Sequence, residues 1–395
     1  MLNDRMSDLH IDTRITRLEE TAPKGFRSLA PATHRGSTIL FDDAQSFLDR
    51  GERFFDGYTY GLAGTPTQYA LAAKIARIEG ARHCVLAPSG LAAIHLVNQS
   101  VLSAGDDVLI PHSAYGPTQR NANELLARFG VGTQFYDPLL GAHIAELFTA
   151  RTRLVWTESP GSLTMQIQDL PAIVTAAHAR GVKVALDNTW ASPLFFDALG
   201  HGVDFSVQAL TKYACGHSDI LMGSVSTNDE QSYRSMRTAA DLMGMNVSPD
   251  DCVGVMRGLG TMSVRLQRHQ QSATQIAQRL AEHPAVRQVM YPALQSDPGH
   301  EIWKRDFKGS SGLLSIILER NDLESACRVV NGLKLFQIGA SWGGVHSLVA
   351  VYPSVPVRRH DGHLEKRTLI RLHIGLEAVK DLITDLDEAL GQIVP

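Results

Sequence analysis

From Arg82 onward, short unbroken apolar runs alternate with stretches whose apolar residues recur at helical spacing. His83–Ala87, Asp107–Pro111, Thr133–Tyr136, Arg153–Thr157, Val182–Leu186, Phe205–Leu210 and Leu221–Thr227 read as strands. Between them, Ser89–Ser103, Thr118–Phe129 and Leu170–Arg180 read as helices. Continuous apolar strands alternating with helices predict an α/β fold whose largely parallel sheet is covered on both faces.

The flanks differ. Residues 1–57 show no helical periodicity beyond one short helix near Asp42–Gly51, and Pro23, Gly25, Pro31 and Gly36 break the stretch before it. Such an arm buries little by itself, so it is either disordered or laid on another surface, that of a second subunit included. Thr67 is the expected N-cap of a helix over Gln68–Glu79. Beyond Pro249 a long helix (Thr261–Glu282) is followed by strands at Gly312–Leu318 and Leu369–Ile374 and helices at Glu324–Leu333 and Ala378–Leu390. The expected organisation is an arm (1–57), a large α/β domain (58–250) and a smaller C-terminal α+β domain (251–395).

Composition narrows the class. The 395 residues exceed one simple core, and 44% hydrophobic with 20% charged content fits an ordinary globular protein. A net charge of -4 points to neither nucleic acid nor an acidic lipid surface. Cys84, Cys215, Cys252 and Cys327 follow no metal-ligand spacing and suit reduced thiols. The first twenty or so residues carry no apolar signal core, and no apolar run reaches the ~20 residues of a membrane span, so the cytoplasm is the expected location.

Ligands of open α/β sheets sit outside the carboxyl ends of the strands. Pro88-Ser-Gly-Leu91 follows the first strand and opens a helix, where free N–H groups suit a phosphate; the other reading is a plain serine cap. Tyr115 follows the second strand and either stacks on a planar ring or packs beneath its Gly-Pro turn. Asp187 ends a buried strand and needs a cationic partner, either a protonated pyridine nitrogen or a structural arginine. Lys212 follows the next strand and is either a surface lysine or a pocket-held nucleophile. Arg371 interrupts an apolar strand and must find an anion, a substrate carboxylate or an acidic side chain. Taken in order, these residues form the set that pyridoxal 5'-phosphate requires: a Schiff-base lysine, an acid for the ring nitrogen, an aromatic for the ring face and a phosphate cradle. Neither GxGxxG nor GxxxxGK[ST] is present, so dinucleotide and ATP readings are weak. No histidines pair at ligand spacing; His360 and His363 lie in a polar loop, and no metal site is expected.

The motifs Tyr-Gly-x-x-Gly-Thr-Pro-Thr (60–67), Pro-Ser-Gly (88–90), Glu-Ser-Pro-Gly-Ser (158–162), Asp-Asn-Thr-Trp (187–190), Thr-Lys-Tyr-x-x-Gly-His-Ser-Asp (211–219), Ser-Trp-Gly-Gly (341–344) and Ile-Arg-Leu-His-Ile-Gly-Leu-Glu (370–377) give the chain its likeness. Together they resemble the pyridoxal-phosphate enzymes of cysteine and methionine metabolism, which adopt the aspartate aminotransferase fold (fold type I). The resemblance implies that Lys212 anchors the cofactor and acts as base, with Tyr115 as a second catalytic group. It implies that Asp187 pairs with the ring nitrogen, that Tyr115 stacks, and that Gly90, Leu91 and Thr211 hold the phosphate. It further implies a homotetramer, a dimer of dimers in which Tyr60 reaches a neighbour's cofactor. Ser341, Trp342 and Arg371 are the implied substrate contacts.

Within the family, Trp342 and His373 resemble the β-eliminating branch; γ-branches usually carry Leu and Ser there. The implied reaction is β-elimination of L-cystathionine, a small sulfur amino acid, to homocysteine, pyruvate and ammonia. The rivals are a γ-lyase, a γ-synthase, a broad cysteine-conjugate β-lyase and, from another class, a cofactor-binding regulatory module. Three positions depart from the pattern: Leu62 and Ala209 each remove an expected phosphate contact, and Ala340 stands where some β-lyases carry tyrosine.

Overall fold

The computed structural model describes residues 10–16, 25, 28–358 and 362–393. Seven strands form the large sheet: β1 (His83–Ala87), β2 (Asp107–Pro111), β3 (Gly132–Tyr136), β4 (Thr152–Glu158), β5 (Lys183–Asp187), β6 (Phe205–Ala209) and β7 (Gly223–Thr227). Their spatial order is β1-β7-β6-β5-β4-β2-β3. The ladders are parallel except where β7 runs against both β6 and β1. The expected largely parallel sheet is therefore present, with one reversed strand.

Side-chain alternation explains why both faces are covered. Val108, Ile110, Trp156 and Ala185 join one buried cluster, with Leu96 and Val97 of the helix Gly90–Val101. Leu109, Val155, Val184 and Leu186 point the other way, into a cluster shared with Ile276, Leu314 and Leu369. Successive strand residues face opposite sides, so an unbroken apolar run fits only a sheet buried on both faces.

The smaller C-terminal α+β domain carries a second sheet, ordered β10-β11-β12-β9-β8. Its strands are β8 (Val286–Met290), β9 (Leu313–Leu318), β10 (Gln337–Ile338), β11 (Leu348–Arg358) and β12 (Leu364–His373). The sequence pattern missed β11, whose Pro353 and Pro356 read as strand breakers. Near those prolines the β11–β12 register slips: Tyr352 pairs with Leu369 but Val355 pairs with Arg367.

Packing also crosses the expected boundary near residue 250. Cys252, Val255, Leu259, Met262 and Leu266 cluster with Leu71, Leu210 and Tyr213. The helix Pro249–Leu259 and the start of Met262–Ala281 thus rest on the elements around the large sheet.

One local expectation is corrected at the N-terminal side. The helix Pro66–Ile78 is capped by Thr65, not Thr67, because Gln68 Oε1 takes the Thr65 N–H in a capping box and Pro66 occupies the first turn. Thr67 instead ties down the arm, its hydroxyl accepting from His34 N–H at 2.8 Å and donating to Ala32 O at 3.0 Å. Within the arm, the short helix Ile11–Thr16 buries Ile15 against Leu71 and Ile75 of its own chain.

Candidate active site

β1, β2, β4, β5 and β6 all run the same way, so their carboxyl ends line one edge of the sheet. Ser89 and Gly90 follow β1 and Tyr115 follows β2, while Glu158 ends β4 and Asp187 ends β5. Thr211 and Lys212 follow β6. Topology alone thus gathers the residues that the sequence scatters.

Lys212 lies in a turn, partly buried. Its Nζ donates to Ser341 Oγ at 2.8 Å and sits 5.2 Å from the centroid of the Trp342 ring. Burial, reinforced by the charge of Arg371, lowers its pKa to about 8; Asp187 opposes the shift. This is the pocket-held lysine rather than the surface one.

Asp187 has no arginine partner among the described residues. Its Oδ1 accepts from the Thr189 N–H at 3.1 Å and the Thr189 hydroxyl at 2.5 Å. Burial raises its pKa, while Thr189 and then the charge of Lys212 pull it back. Glu158 faces Asp187 in register on β4, and its Oε2 accepts the Tyr115 N–H at 2.6 Å. Burial, then the charge of Asp187, drives the Glu158 carboxyl well above the usual range. The sequence reading gave Glu158 no role, although it ends an apolar strand as Asp187 does.

At the start of the helix Gly90–Val101, Ser89 Oγ accepts the Ala92 N–H at 3.1 Å. The N–H groups of Gly90 and Leu91 are left without partners among the described residues and mark a site for an anion. Gly90 cannot be replaced cheaply: a Cβ there would stand 2.7 Å from Ala209 Cβ. The Thr211 hydroxyl is engaged with the backbone of Met222, donating to its O at 3.2 Å and accepting its N–H at 3.0 Å. Tyr60 is 56% exposed, and no hydrogen bond or ring contact joins its side chain to the other site residues among the described residues. Its loop is held by Asn246, whose Nδ2 donates to Gly61 O and Leu62 O, both at 3.0 Å.

The C-terminal domain supplies the opposite wall. Arg371, in β12, is buried, and its Nη2 donates to Ala340 O at 2.7 Å. No aspartate or glutamate pairs with it among the described residues. His373, two positions on, is also buried; its Nε2 lies 3.1 Å from Gly343 N and 3.0 Å from Gly344 O, holding the Ser341–Gly344 loop. Burial, then His269, lowers its pKa to about 3, so it is neutral. Gly343 adopts φ +87, and a Cβ there would meet the Lys212 backbone at 2.9 Å. Tyr213, next to Lys212, is fully buried; its hydroxyl accepts the Gly312 N–H at 2.9 Å and its ring lies 5.5 Å from that of Trp342.

An amine of lowered basicity, an aspartate with no arginine partner, two free N–H groups at a helix start and a buried guanidinium with no acidic partner, all among the described residues, together fit pyridoxal phosphate and an amino acid. The family model for the Cys/Met metabolism PLP-dependent enzymes matches residues 12–391.

The chain belongs to the Cys/Met metabolism PLP-dependent enzyme family.

Its cofactor is accordingly pyridoxal phosphate, and it is an enzyme of carbon–sulfur lyase or transferase chemistry acting on a small sulfur amino acid. Members of this Cys/Met family similar to it carry different activities. Cystathionine beta-lyase MetC of Escherichia coli is 39% identical, covering 98% of this chain and 100% of that protein. Cystathionine gamma-lyase of Dictyostelium discoideum is 35% identical, with 85% and 87% coverage. The solved structure of cystathionine gamma synthase from Xanthomonas oryzae pv. oryzae, in complex with aminoacrylate and cysteine, matches with a TM-score of 0.87 at 29% identity, over 97% of this chain and 98% of that one. No group of three or more His, Cys, Asp or Glu residues could hold a metal ion among the described residues; His360 lies outside them. No helix among them is long and apolar enough to cross a membrane.

Proposed function

We propose that the protein cleaves the Cβ–S bond of L-cystathionine by β-elimination, releasing homocysteine, pyruvate and ammonia. The observation that carries this reading is the seat of Lys212 Nζ, between Ser341 Oγ and the face of Trp342. β-Elimination asks the base to work at Cα, whereas γ-elimination also moves a proton at Cβ. An amine confined on two sides suits the first task. The similarity to a cystathionine β-lyase along nearly the whole chain supports the same choice.

The side chains divide the work. Pyridoxal phosphate supplies an electron sink for the substrate's Cα. Asp187 and the Gly90 and Leu91 N–H groups are the residues that would hold it, with Lys212 as its covalent anchor and Tyr115 against its ring. Arg371 takes the substrate carboxylate through its in-plane N–H donors. Lys212 accepts the Cα proton, the Cβ–S electron pair leaves with sulfur, and Lys212 or Tyr115 protonates the thiolate. The three-carbon fragment takes up water and leaves as pyruvate and ammonia. The arm and Tyr60 belong, in this reading, to contacts within a homotetramer in the cytoplasm.

Identification of the keto acid from L-cystathionine decides the matter. Pyruvate is expected; 2-oxobutyrate would move the protein to the γ-branch, and no keto acid from any sulfur amino acid would leave a binding module.

A further inference from the structure

Arg371 is 6% exposed, yet it has no acidic partner among the described residues. Ala340 and Tyr352 hold it, the tyrosine through both its ring and its hydroxyl. Ala340 O takes one Nη2 hydrogen, and the ring of Tyr352 covers the guanidinium, its centroid 5.2 Å from Cζ. An aspartate or glutamate would fix the fork as firmly but would neutralise it. An aromatic face fixes the plane and leaves both the charge and the remaining in-plane donors available.

The strand geometry is arranged for this contact. β11 and β12 pair Ala350 with Arg371 and Tyr352 with Leu369, so Tyr352 and Arg371 share a face as diagonal neighbours. The small Ala350 directly opposite Arg371 leaves room for the tyrosine. Immediately beyond Tyr352 the ladder bulges: Pro353 and Ser354 together face Thr368. Ser354 takes the left-handed φ of +58, and the Thr368 N–H donates to Asn321 Oδ1 at 2.9 Å. A bulge beside a site re-aims the side chains next to it, and a left-handed non-glycine persists only where its surroundings hold it.

We propose that Tyr352 is the positioning residue that sets Arg371 as an un-neutralised carboxylate fork, and thereby the preference for substrates bearing a free α-carboxylate. The proposal rests on the reading of Arg371 as the carboxylate anchor. The test is calorimetric binding of L-alanine and L-alaninamide, neither of which carries a β-leaving group, to the cofactor-loaded enzyme. The wild type is expected to prefer alanine. Tyr352→Leu removes the aromatic face; alanine binding is expected to weaken about ten-fold, the size of a partly desolvated cation–π contact, with alaninamide binding unchanged within about two-fold. Tyr352→Phe keeps the ring and loses only the hydroxyl's bond to Arg371, and is expected to keep the wild-type preference. Tyr352→Met stands in if the leucine protein does not fold. An undiminished preference in the Leu or Met variant overturns the proposal while leaving Arg371 as the anchor. A wild type indifferent to the carboxylate overturns the anchor reading and the proposal with it.

Discussion

Glu158 and Asp187 stand side by side at the ends of β4 and β5, two carboxylates in register on adjacent parallel strands. Burial raises the pKa of both, and at Glu158 the charge of Asp187 adds to the rise. Burial and then the charge of Asp187 favour the protonated form of Glu158, against the Tyr115 N–H that it accepts, while Thr189 and the charge of Lys212 favour the ionised form of Asp187. Glu158→Gln imitates a protonated acid and is expected to keep kcat within about three-fold. Glu158→Ala frees the Tyr115 backbone and should cost about ten-fold, the size of one hydrogen bond lost. Steady-state kinetics on the two variants checks this, and a Gln variant as impaired as the Ala variant would show that the charge matters.

Lys212 fixes the pH dependence. Its pKa is lowered to about 8, so the amine is protonated and inactive as a base below that value and free above it. The rate of keto-acid release should therefore rise as pH passes through about 8 and level off beyond it. Lys212→Ala should abolish release across the range, and an unchanged pH profile with residual full activity would remove the assignment.

His373 and Trp342 are expected to govern which bond is cleaved. His373→Ser removes the imidazole Nε2 that bonds one of Gly343 N–H and Gly344 O, as its tautomer dictates, at a cost of about 1–3 kcal/mol read from denaturant unfolding. Combined with Trp342→Leu, it releases the confinement of Lys212 Nζ. The double variant should yield a larger fraction of 2-oxobutyrate than the parent, measured by chromatography of the keto acids.

Gly343→Ala tests the close approach between the two walls. A methyl group there meets the Lys212 backbone and must also adopt φ +87, a conformation costing about 1–3 kcal/mol without glycine. Cofactor retention, read from the visible absorbance of the purified protein, should fall, and activity with it.

Much of this arrangement was legible in the sequence because strand ends announce themselves. Asp187 and Lys212 each follow an unbroken apolar run, and topology then puts them together whatever the loop lengths. What escaped were features that depend on register. Glu158 carries the same strand-end signal as Asp187, but its meaning needs the knowledge that β4 lies beside β5. Tyr352 sits before two prolines in a strand that composition argues against, and its place diagonal to Arg371 is set by the β11–β12 register. The Thr65 cap was missed because Thr67 offers the same chemistry, and only the reciprocal bond from Gln68 decides between them.

Tyr213 joins the lysine-bearing turn to Gly312, at the entrance to the strand next to that carrying Arg371. Lys212 and Arg371 are therefore riveted across the two walls by this buried phenol together with the Lys212–Ser341 bond. Any hinge motion of the C-terminal domain must carry the lysine along or break that rivet. With Lys212 as the proposed base and Arg371 as the proposed carboxylate fork, these ties set the span along which substrate length is gauged.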